Sequence, residues 1–441
     1  MPQNPVTFYK KSLLYYRMAI LNQILDIINQ IAIGIISVAF LPQLAFIIFF
    51  FIRAKRYPEA KTLHKYAILI PCRNEDDVIS DSINKIQTTL TYPRSHYDIF
   101  VVAHNCTDQT AIVAEKAGAK VIVYNNNQER TKGYALKHAF AEIIKQFNTE
   151  YEAFIIFDAD TEPHPNYLTK MNNAFDSGTK YATCYLNAKN YTESISSSIW
   201  SLWYIRDSRF VCNLRSRINF SNIYGGHGML IATEEIIEHG YDSVSIVEDA
   251  EYSMKIALRK QRVEYVSEAM VYDEHPATFK AIFARNRRFG YGLIRLFGKY
   301  GYRLIGRFFQ TLNFSYIDLF LTLFFIPIAV MAVFWFPAYY GYLVAYNYII
   351  GNNAAAWTII FNLIMILAFA FIVPFIVQGA LTVILEHKRI NYGKWYKLIP
   401  SIVFLPMFMI IYCLAITIGV LTPKLKWKQT RKKKSDEKNV S

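Results

Sequence analysis

Apolar residues fall in two patterns along this chain. Towards the ends they form long, nearly uninterrupted runs, and in the middle they form short runs separated by polar, helical-looking segments. Residues 31–52, IAIGIISVAFLPQLAFIIFFFI, carry no charge and are long enough to cross a hydrocarbon layer of ~30 Å. The preceding stretch, 13–30, is amphipathic; it predicts an interfacial helix or an extension of the first span. Three further apolar blocks, 319–336, 357–385 and 399–421, each have spanning length. Pro374 lies inside one of them, and 338–350 offers another short apolar stretch. A re-entrant hairpin and an even number of C-terminal crossings are therefore expected, with the tail on the cytoplasmic side. The reason is the tail's charge, Lys424, Lys426, Lys428, Arg431, Lys432, Lys433, Lys434 and Lys438, because cationic residues stay inside.

In the middle, apolar and β-branched runs recur at 67–70, 98–103, 120–124 and 153–157. Helical patterns fill the gaps at 77–90, 108–117 and 133–147. Runs that are continuous rather than alternating predict parallel strands covered on both faces. The strand–helix alternation predicts a doubly wound α/β sheet. Ligands of such sheets sit beyond the carboxyl ends of the strands. After this region, residues 278–310 interleave Arg and Lys with Phe and Tyr at helical spacing, which predicts an interfacial amphipathic helix. The domain reading is an N-terminal membrane segment (1–56), an α/β domain (57–275), interfacial helices (276–312), a membrane region (313–423) and a basic tail (424–441).

Composition narrows the class. With 441 residues, 53% of them hydrophobic and 19% charged, the chain is neither disordered nor fibrous. A mean hydropathy of +0.15 fits a membrane part joined to a globular part. The net charge of +14 would suit nucleic acid, but the cations cluster at membrane edges. Arg53, Lys55, Arg56, Lys61 and Lys65 directly follow the first apolar run. That placement follows the positive-inside bias, puts the α/β domain in the cytoplasm, and argues against a nucleic-acid partner. The first run is too long and starts too late for a signal peptide. Five cysteines without a CxxC pair argue against a zinc module or a disulfide framework.

The chemistry-bearing residues follow the strands. Asp158-Ala159-Asp160 leaves the fourth strand, and alternation along an extended chain would point both carboxylates one way. Two hard oxygen ligands there suit Mg²⁺ or Mn²⁺, although a turn with two solvated aspartates fits as well. Pro71-Cys72-Arg73-Asn74-Glu75 and His104-Asn105-Cys106-Thr107-Asp108 follow the first two strands. Both offer hydrogen-bonding groups to a nucleotide, and Asn74 and Asp108 are also plausible helix N-caps. Thr131-Lys132-Gly133 opens a helix, where a lysine and backbone N–H groups suit phosphate. Glu248-Asp249 sits in a polar break before a helix, as a general base or as an acidic pair favoured by the helix dipole. Arg285 and Arg288 share a helix face and suit a diphosphate, or anchor the membrane interface. In Tyr224-Gly225-Gly226-His227-Gly228 the glycines permit close approach of backbone to a ligand, or simply turn the chain before a strand.

The order strand-PCRNE, strand-HNCTD, TKG, strand-DAD, GGHG, ED, RNRRF beside a membrane segment resembles membrane-embedded family 2 glycosyltransferases. Cellulose, hyaluronan, chitin and poly-N-acetylglucosamine synthases belong to that group. The resemblance covers about residues 66–290. It implies an α/β GT-A fold (Rossmann-like, mostly parallel sheet) in the cytosol, joined to an α-helical transmembrane region of a multi-pass cell-membrane protein. It implies an inverting transfer from a nucleotide sugar, usually a UDP sugar, to a growing polysaccharide with coupled export. A single transfer to a lipid or lipid-linked acceptor is the alternative. By the same resemblance Cys72, Arg73, Asn74 and Glu75 hold the nucleoside, with Asn105 and Asp108 as the next nucleotide contacts. Lys132 lies near the donor phosphates, Asp158 and Asp160 hold Mg²⁺ or Mn²⁺, and Asp249 of the Glu248-Asp249 pair is the general base. Arg285, Arg288 and Phe289 correspond to the Gln, Arg and Trp of the Gln-x-x-Arg-Trp signature, which binds diphosphate and acceptor. Glu274 corresponds to an acidic residue upstream of it, and His227 falls near the acceptor. Arg285 and Phe289 depart from the signature, and His104 stands where the family usually has aspartate; Phe keeps a stacking face but lacks the indole donor.

Overall fold

The computed structural model describes residues 5–48, 51–390, 393–423 and 425. The basic tail read as cytoplasmic lies outside them. A long helix, α1 (Pro5–Ile48), leads into an eight-stranded sheet. Its strands are β1 (Tyr66–Cys72), β2 (Tyr97–His104), β3 (Lys120–Tyr124), β4 (Ala153–Ile156), β5 (Glu162–Pro163), β6 (Tyr181–Ala188), β7 (Met229–Ala232) and β8 (Glu264–Asp273). The helices threaded between them are α2 (Ile79–Thr89), α3 (Thr110–Lys116), α4 (Lys132–Phe147), α5 (Tyr167–Asp176), α6 (Ile195–Arg206), α7 (Asn213–Arg217), α8 (Thr233–His239) and α9 (Glu248–Leu258). The order across the sheet is β3-β2-β1-β4-β7-β6-β8-β5. β1 pairs in parallel with β2 and β4, so Ile68 lies beside both Ile99 and Ile155. β7 is antiparallel to β4 and β6, and β5 is antiparallel to β8, so the sheet is mostly parallel, as in a GT-A fold.

Continuous apolar strands bury both faces. In β1, Ile68 and Ile70 pack with Ile83 of α2 and Leu168 of α5. Ala67 and Leu69 point the other way, onto Leu136 and Phe140 of α4. The period of two thus divides one apolar run between two cores.

After β8 come α10 (Phe279–Thr311), α11 (Phe314–Ile349), α12 (Asn353–Ile366), α13 (Val373–Glu386) and α14 (Ile399–Leu421). A π-helical turn, Leu367–Ile372, joins α12 to α13. Four stretches are long and apolar enough to cross a membrane: Tyr16–Ala39, Phe314–Ile349, Asn353–Glu386 and Trp395–Leu421. The stretch 13–30 and the first apolar run form one unbroken helix, the second of the two readings the sequence offers, and the spanning stretch found among the described residues is Tyr16–Ala39. Residues 338–350 continue α11 through Pro327 and Pro337 instead of forming a separate segment. Three C-terminal helical stretches of spanning length and composition occur among the described residues, matching the three apolar blocks of the sequence. The aromatic residues of α11 also have a definite job: Trp335, Tyr339 and Tyr342 donate hydrogen bonds to Asn29, Asp26 and Asn22 of α1 at 3.2, 2.5 and 2.7 Å. Such polar contacts hold helices together where the hydrophobic effect does not discriminate helix from lipid.

The sheet domain is built onto these helices. Arg215 of α7 donates to Asp318 of α11 at 2.7 Å and to Thr322 at 2.9 Å. Tyr185 of β6 donates to Glu386 of α13 at 3.1 Å, and Tyr191 pairs with Ser401 of α14 at 2.8 Å. α10 meets α14 backbone to backbone. A Cβ on Gly290 would lie 2.5 Å from the Ile416 Cα, and one on Gly419 would lie 2.9 Å from the Tyr291 nitrogen.

The Arg215–Asp318 pair is buried on both sides. Asp318→Leu strands a buried cation and should cost about 3–5 kcal/mol, read as a lower unfolding midpoint in detergent. R215M/D318L should recover most of that loss; an unchanged midpoint in the single variant would show that the pair does not hold the domain to α11.

Candidate functional site

The site is assembled at the carboxyl ends of β1, β2 and β4, where the parallel strands release their chains. The loops after β1 and β2 are stitched together. Asn74 Oδ1 accepts from the Thr107 N–H at 2.7 Å, and Asp108 Oδ2 accepts from the Asp76 N–H at 3.2 Å. Asn74 and Asn105 take φ of 53° and 52°, a left-handed turn that asparagine tolerates. Asn105 donates to the Asn126 and Glu129 carbonyls at 2.9 and 3.0 Å and accepts from the Asn126 N–H at 2.7 Å. Both its amide hydrogens are engaged, so it shapes the cleft rather than reading a ligand with them. Asn74 does not cap α2, whereas Asp108 accepts from the Thr110 N–H at the start of α3, at 3.1 Å. Cys72 is 1% exposed and belongs to the sheet core, so its side chain is no direct nucleoside contact. Arg73 and Glu75 remain partly exposed beside the cleft. Burial, followed by the charge of Arg73, lowers the His104 pKa against the backbone carbonyl of Glu129, so His104 stays neutral.

The centre of the pocket is Lys132, at the first position of α4. Its ammonium donates to Asp158 Oδ1 and to the Gly226 carbonyl, both at 2.5 Å. Burial opposes this charge, but Asp158, Glu248 and Asp249 outweigh it and raise the Lys132 pKa. Gly226, at φ 92°, brings the GGHG loop against the acidic pair, where a Cβ would lie 3.4 Å from Asp249 Oδ2. Asp249 sits in the first turn of α9 and accepts from the Ala250 N–H at 2.8 Å. Burial, then the Asp249 charge, pushes the Glu248 carboxyl up to about 7, against the pull of Lys132. Burial likewise raises Asp249, opposed by Lys132 and Arg288.

The DAD segment is not extended. The Thr161 N–H donates to the Asp158 carbonyl at 3.0 Å and Thr161 Oγ1 accepts from the Asp158 N–H at 3.1 Å, which closes a turn. Alternation therefore does not explain why both carboxylates reach the pocket; the turn does. Asp158 faces Lys132, while Asp160, 8% exposed, acts on the Arg285 charge together with Asp158 and Asp273. Arg285 and Arg288 enter from α10. Arg285 lies 5.1 Å above the Trp200 ring and 5.9 Å from the Phe289 ring. The Nε atoms of both arginines are buried without a hydrogen-bond partner. Burial, then repulsion from Arg285, lowers Arg288.

His227 is buried between Asp158 (3.9 Å) and Asp273 (3.8 Å). Glu274 is exposed, and the acidic residue that reaches the pocket is its neighbour Asp273. His275 lies nearby, bonded to Ser201 at 2.8 Å and held neutral by burial and by Arg285. Asp273, His275 and Trp200 had no motif to announce them. Period-two alternation at the end of β8, with Asp273 and His275 inward and Glu274 outward, was the available signal.

The donor set suits a hard cation. Asp158 and Asp160 supply oxygens, and the buried Asp273 Oδ1 and His227 Nε2 lack hydrogen-bond partners. No cluster of three or more His, Cys, Asp or Glu forms a complete metal cage among the described residues. Mg²⁺ and Mn²⁺ sites that share their shell with substrate phosphates need only one or two carboxylates.

Residues 64–292 match the family described as glycosyltransferase-like family 2. The chain is 24% identical over 248 residues to a probable glycosyltransferase, YdaM, of Bacillus subtilis (strain 168), covering 53% of this chain and 56% of that protein. It is 27% identical over 261 residues to a poly-beta-1,6-N-acetyl-D-glucosamine synthase of Staphylococcus aureus (strain MSSA476), covering 56% of this chain and 60% of that protein. The matches thus span a little over half of these relatives. Among solved structures, the mannosyltransferase PcManGT of Pyrobaculum calidifontis, in complex with GDP-Man and Mn²⁺, superposes with a TM-score of 0.53 at 16% identity, over 85% of this chain and 97% of that one. This likeness shows a shared fold.

Gly133 follows Lys132 for a packing reason: a Cβ there would lie 2.8 Å from the Val244 Cα. Gly133→Ala should therefore displace the start of α4 and cost about 1–3 kcal/mol, measured as a drop in unfolding midpoint. An unchanged midpoint would mean that the 243–244 loop yields freely.

Proposed function

Because the chain belongs to the glycosyltransferase-like family 2, we propose that it is a membrane-bound inverting glycosyltransferase that moves a sugar from a nucleotide sugar, most simply a UDP sugar, to a growing polysaccharide at the cytoplasmic face, with coupled export. The observation that carries this reading is the convergence of Lys132, Asp158, Gly226 and Asp249 with Arg288, which acts on the Asp249 carboxyl.

In the proposed reaction Asp249 accepts the proton of an acceptor hydroxyl. The oxygen forms its bond to the anomeric carbon from the face opposite the diphosphate. The bond from that carbon to the diphosphate oxygen breaks, and its electron pair leaves with the nucleotide. Arg285, Arg288 and Lys132 neutralise the charge that develops. Asp158 and Asp160 would hold Mg²⁺ or Mn²⁺, which supplies Lewis-acid stabilisation of the diphosphate. Arg73 and Glu75 border the nucleoside end. Phe289 offers an aromatic face to the acceptor sugar, while the buried Trp200 backs Arg285. The alternative, one transfer to a lipid or lipid-linked acceptor, draws support from Arg285 and Phe289 standing where processive enzymes carry Gln and Trp.

Incubation with labelled UDP and GDP sugars, with Mg²⁺ and Mn²⁺ compared, followed by product sizing, separates polymer from single transfer. Asp249→Asn should lower kcat by roughly 10²–10⁴-fold while nucleoside diphosphate binding, measured by calorimetry, stays intact; normal turnover in that variant removes Asp249 as the base. The pH profile gives a second check. Burial raises the Asp249 carboxyl, so the rate should begin to fall at a higher pH than an ordinary aspartate would give, as falling pH protonates the base. Lys132 holds both carboxyls down. Lys132→Met should therefore move the acidic limb to higher pH by about one unit, and an unmoved or acid-shifted limb contradicts the assignment.

A further inference from the structure

A second polar cavity, of about 650 Å³, opens at the far end of the sheet. It is lined by residues that precede β6 and β8, such as Lys180 and Arg262. These two strands run in the same direction as β4, so the cavity lies at their amino ends, whereas Asp158 follows the carboxyl end of β4. Its wall carries five cations, Lys55, Arg56, Lys180, Lys260 and Arg262, against one carboxylate, Glu264. Lys55 and Arg262 hold Glu264 at 3.1 and 2.5 Å, which neutralises it. Lys180 is shared with Glu234 and Glu235. Arg56 and Lys260 make no ion pair among the described residues, so among those residues the cavity keeps a positive excess.

Lys260 is placed there at a conformational cost. It follows α9 with φ 64°, its N–H donates to Ala257 and that of Gln261 to Ile256. This is the helix-ending turn that glycine usually occupies. A lysine at that position points to a use for its ammonium. The amino end of the 36-residue α11 adjoins the same cavity through Asn313 and Ser315, adding the positive end of a helix dipole. Lys55 and Arg56 follow the first span, and α11 begins the second. Flanking the cavity-lining Asn313, Leu312 and Phe314 are 69% and 63% exposed, an apolar rim.

We propose that this cavity binds a phosphate group at the membrane surface, separately from the donor pocket and independently of sugar transfer. An anionic phospholipid headgroup fits the whole setting: its phosphate between Arg56 and Lys260, its acyl chains along Leu312 and Phe314. A soluble phosphate compound shares the recognition chemistry but would leave the apolar rim unused. A generic belt of interfacial lysines would spread over a convex surface, whereas these cations line a concavity.

The test uses the full-length chain, delipidated in detergent and titrated with phosphatidylglycerol or phosphatidylcholine by native mass spectrometry, and with inorganic phosphate by calorimetry. Saturable phosphatidylglycerol binding is expected, weakened about 5-fold by Arg56→Gln or Lys260→Gln and about 25-fold by R56Q/K260Q. Lys260→Gly keeps the turn while deleting the ammonium, so it should bind like Lys260→Gln with an unfolding midpoint no lower than the parent. Inorganic phosphate that binds with the same dependence on Arg56 and Lys260 supports the site and assigns it to a soluble source. Binding of both probes unaffected by R56Q/K260Q, phosphatidylcholine binding as tightly as phosphatidylglycerol, or binding of neither anionic probe overturns the proposal.

Discussion

Everything in the central pocket depends on charge balance around Lys132. Asp158, Asp160, Glu248, Asp249 and Asp273 come from three separate segments of chain into space largely removed from water. Isolated carboxylates would not remain ionised there. The ammonium on Asp158 and the Gly226 carbonyl, with Arg285 and Arg288 facing it, makes the cluster tolerable. The residual imbalance shows in the acidic pair, where burial and mutual repulsion push Glu248 to about 7. Burial raises the Asp249 carboxyl as well, the direction that suits a general base working near neutral pH. A donor diphosphate would bring further negative charge, which the two arginines are placed to meet.

The arginines are not on the sheet. They ride on α10, and α10 is locked against α14 by Gly290 and Gly419 and against the chain before α9 by Gly292, where a Cβ would meet Val247. The helix that supplies two of the pocket's three cations is therefore fixed by a helix of membrane-spanning character and by the segment that carries Asp249. Arg215–Asp318 and Tyr185–Glu386 repeat the arrangement elsewhere. Transfer chemistry and membrane packing share one rigid frame, a natural arrangement if the acceptor leaves the pocket through or along the membrane helices.

The parts of this structure legible in the sequence are those where one physical pattern dominates. β1, β2 and β4 stand out because their central residues are buried on both faces and form apolar runs, and the half-exposed β3 stands out because Val121, Ile122 and Val123 are β-branched. β6 and β8 escape notice because YATCYLNA and EYVSEAMVYD mix Asn, Thr, Ser and Glu into the strand. The length of α11 is hidden by Pro327 and Pro337, which read as stops in water yet are tolerated in a packed apolar helix. Motifs located Lys132, Asp158, Asp160, Asp249, Arg285 and Arg288, and these residues meet. They pointed to Glu274 where Asp273 faces the pocket, because a one-residue difference at a strand end reverses the face. They could not separate contact from scaffold at Cys72 and Asn105, since that depends on which hydrogen bonds the loops form.

The most direct measurement is a structure of the full-length chain with a nucleoside diphosphate and Mn²⁺, the metal located by its anomalous signal. The account predicts the metal at Asp158 and Asp160, with the diphosphate between it and Arg285 and Arg288 and Asp249 facing the open side. Metal or diphosphate bound away from these carboxylates and arginines would contradict it.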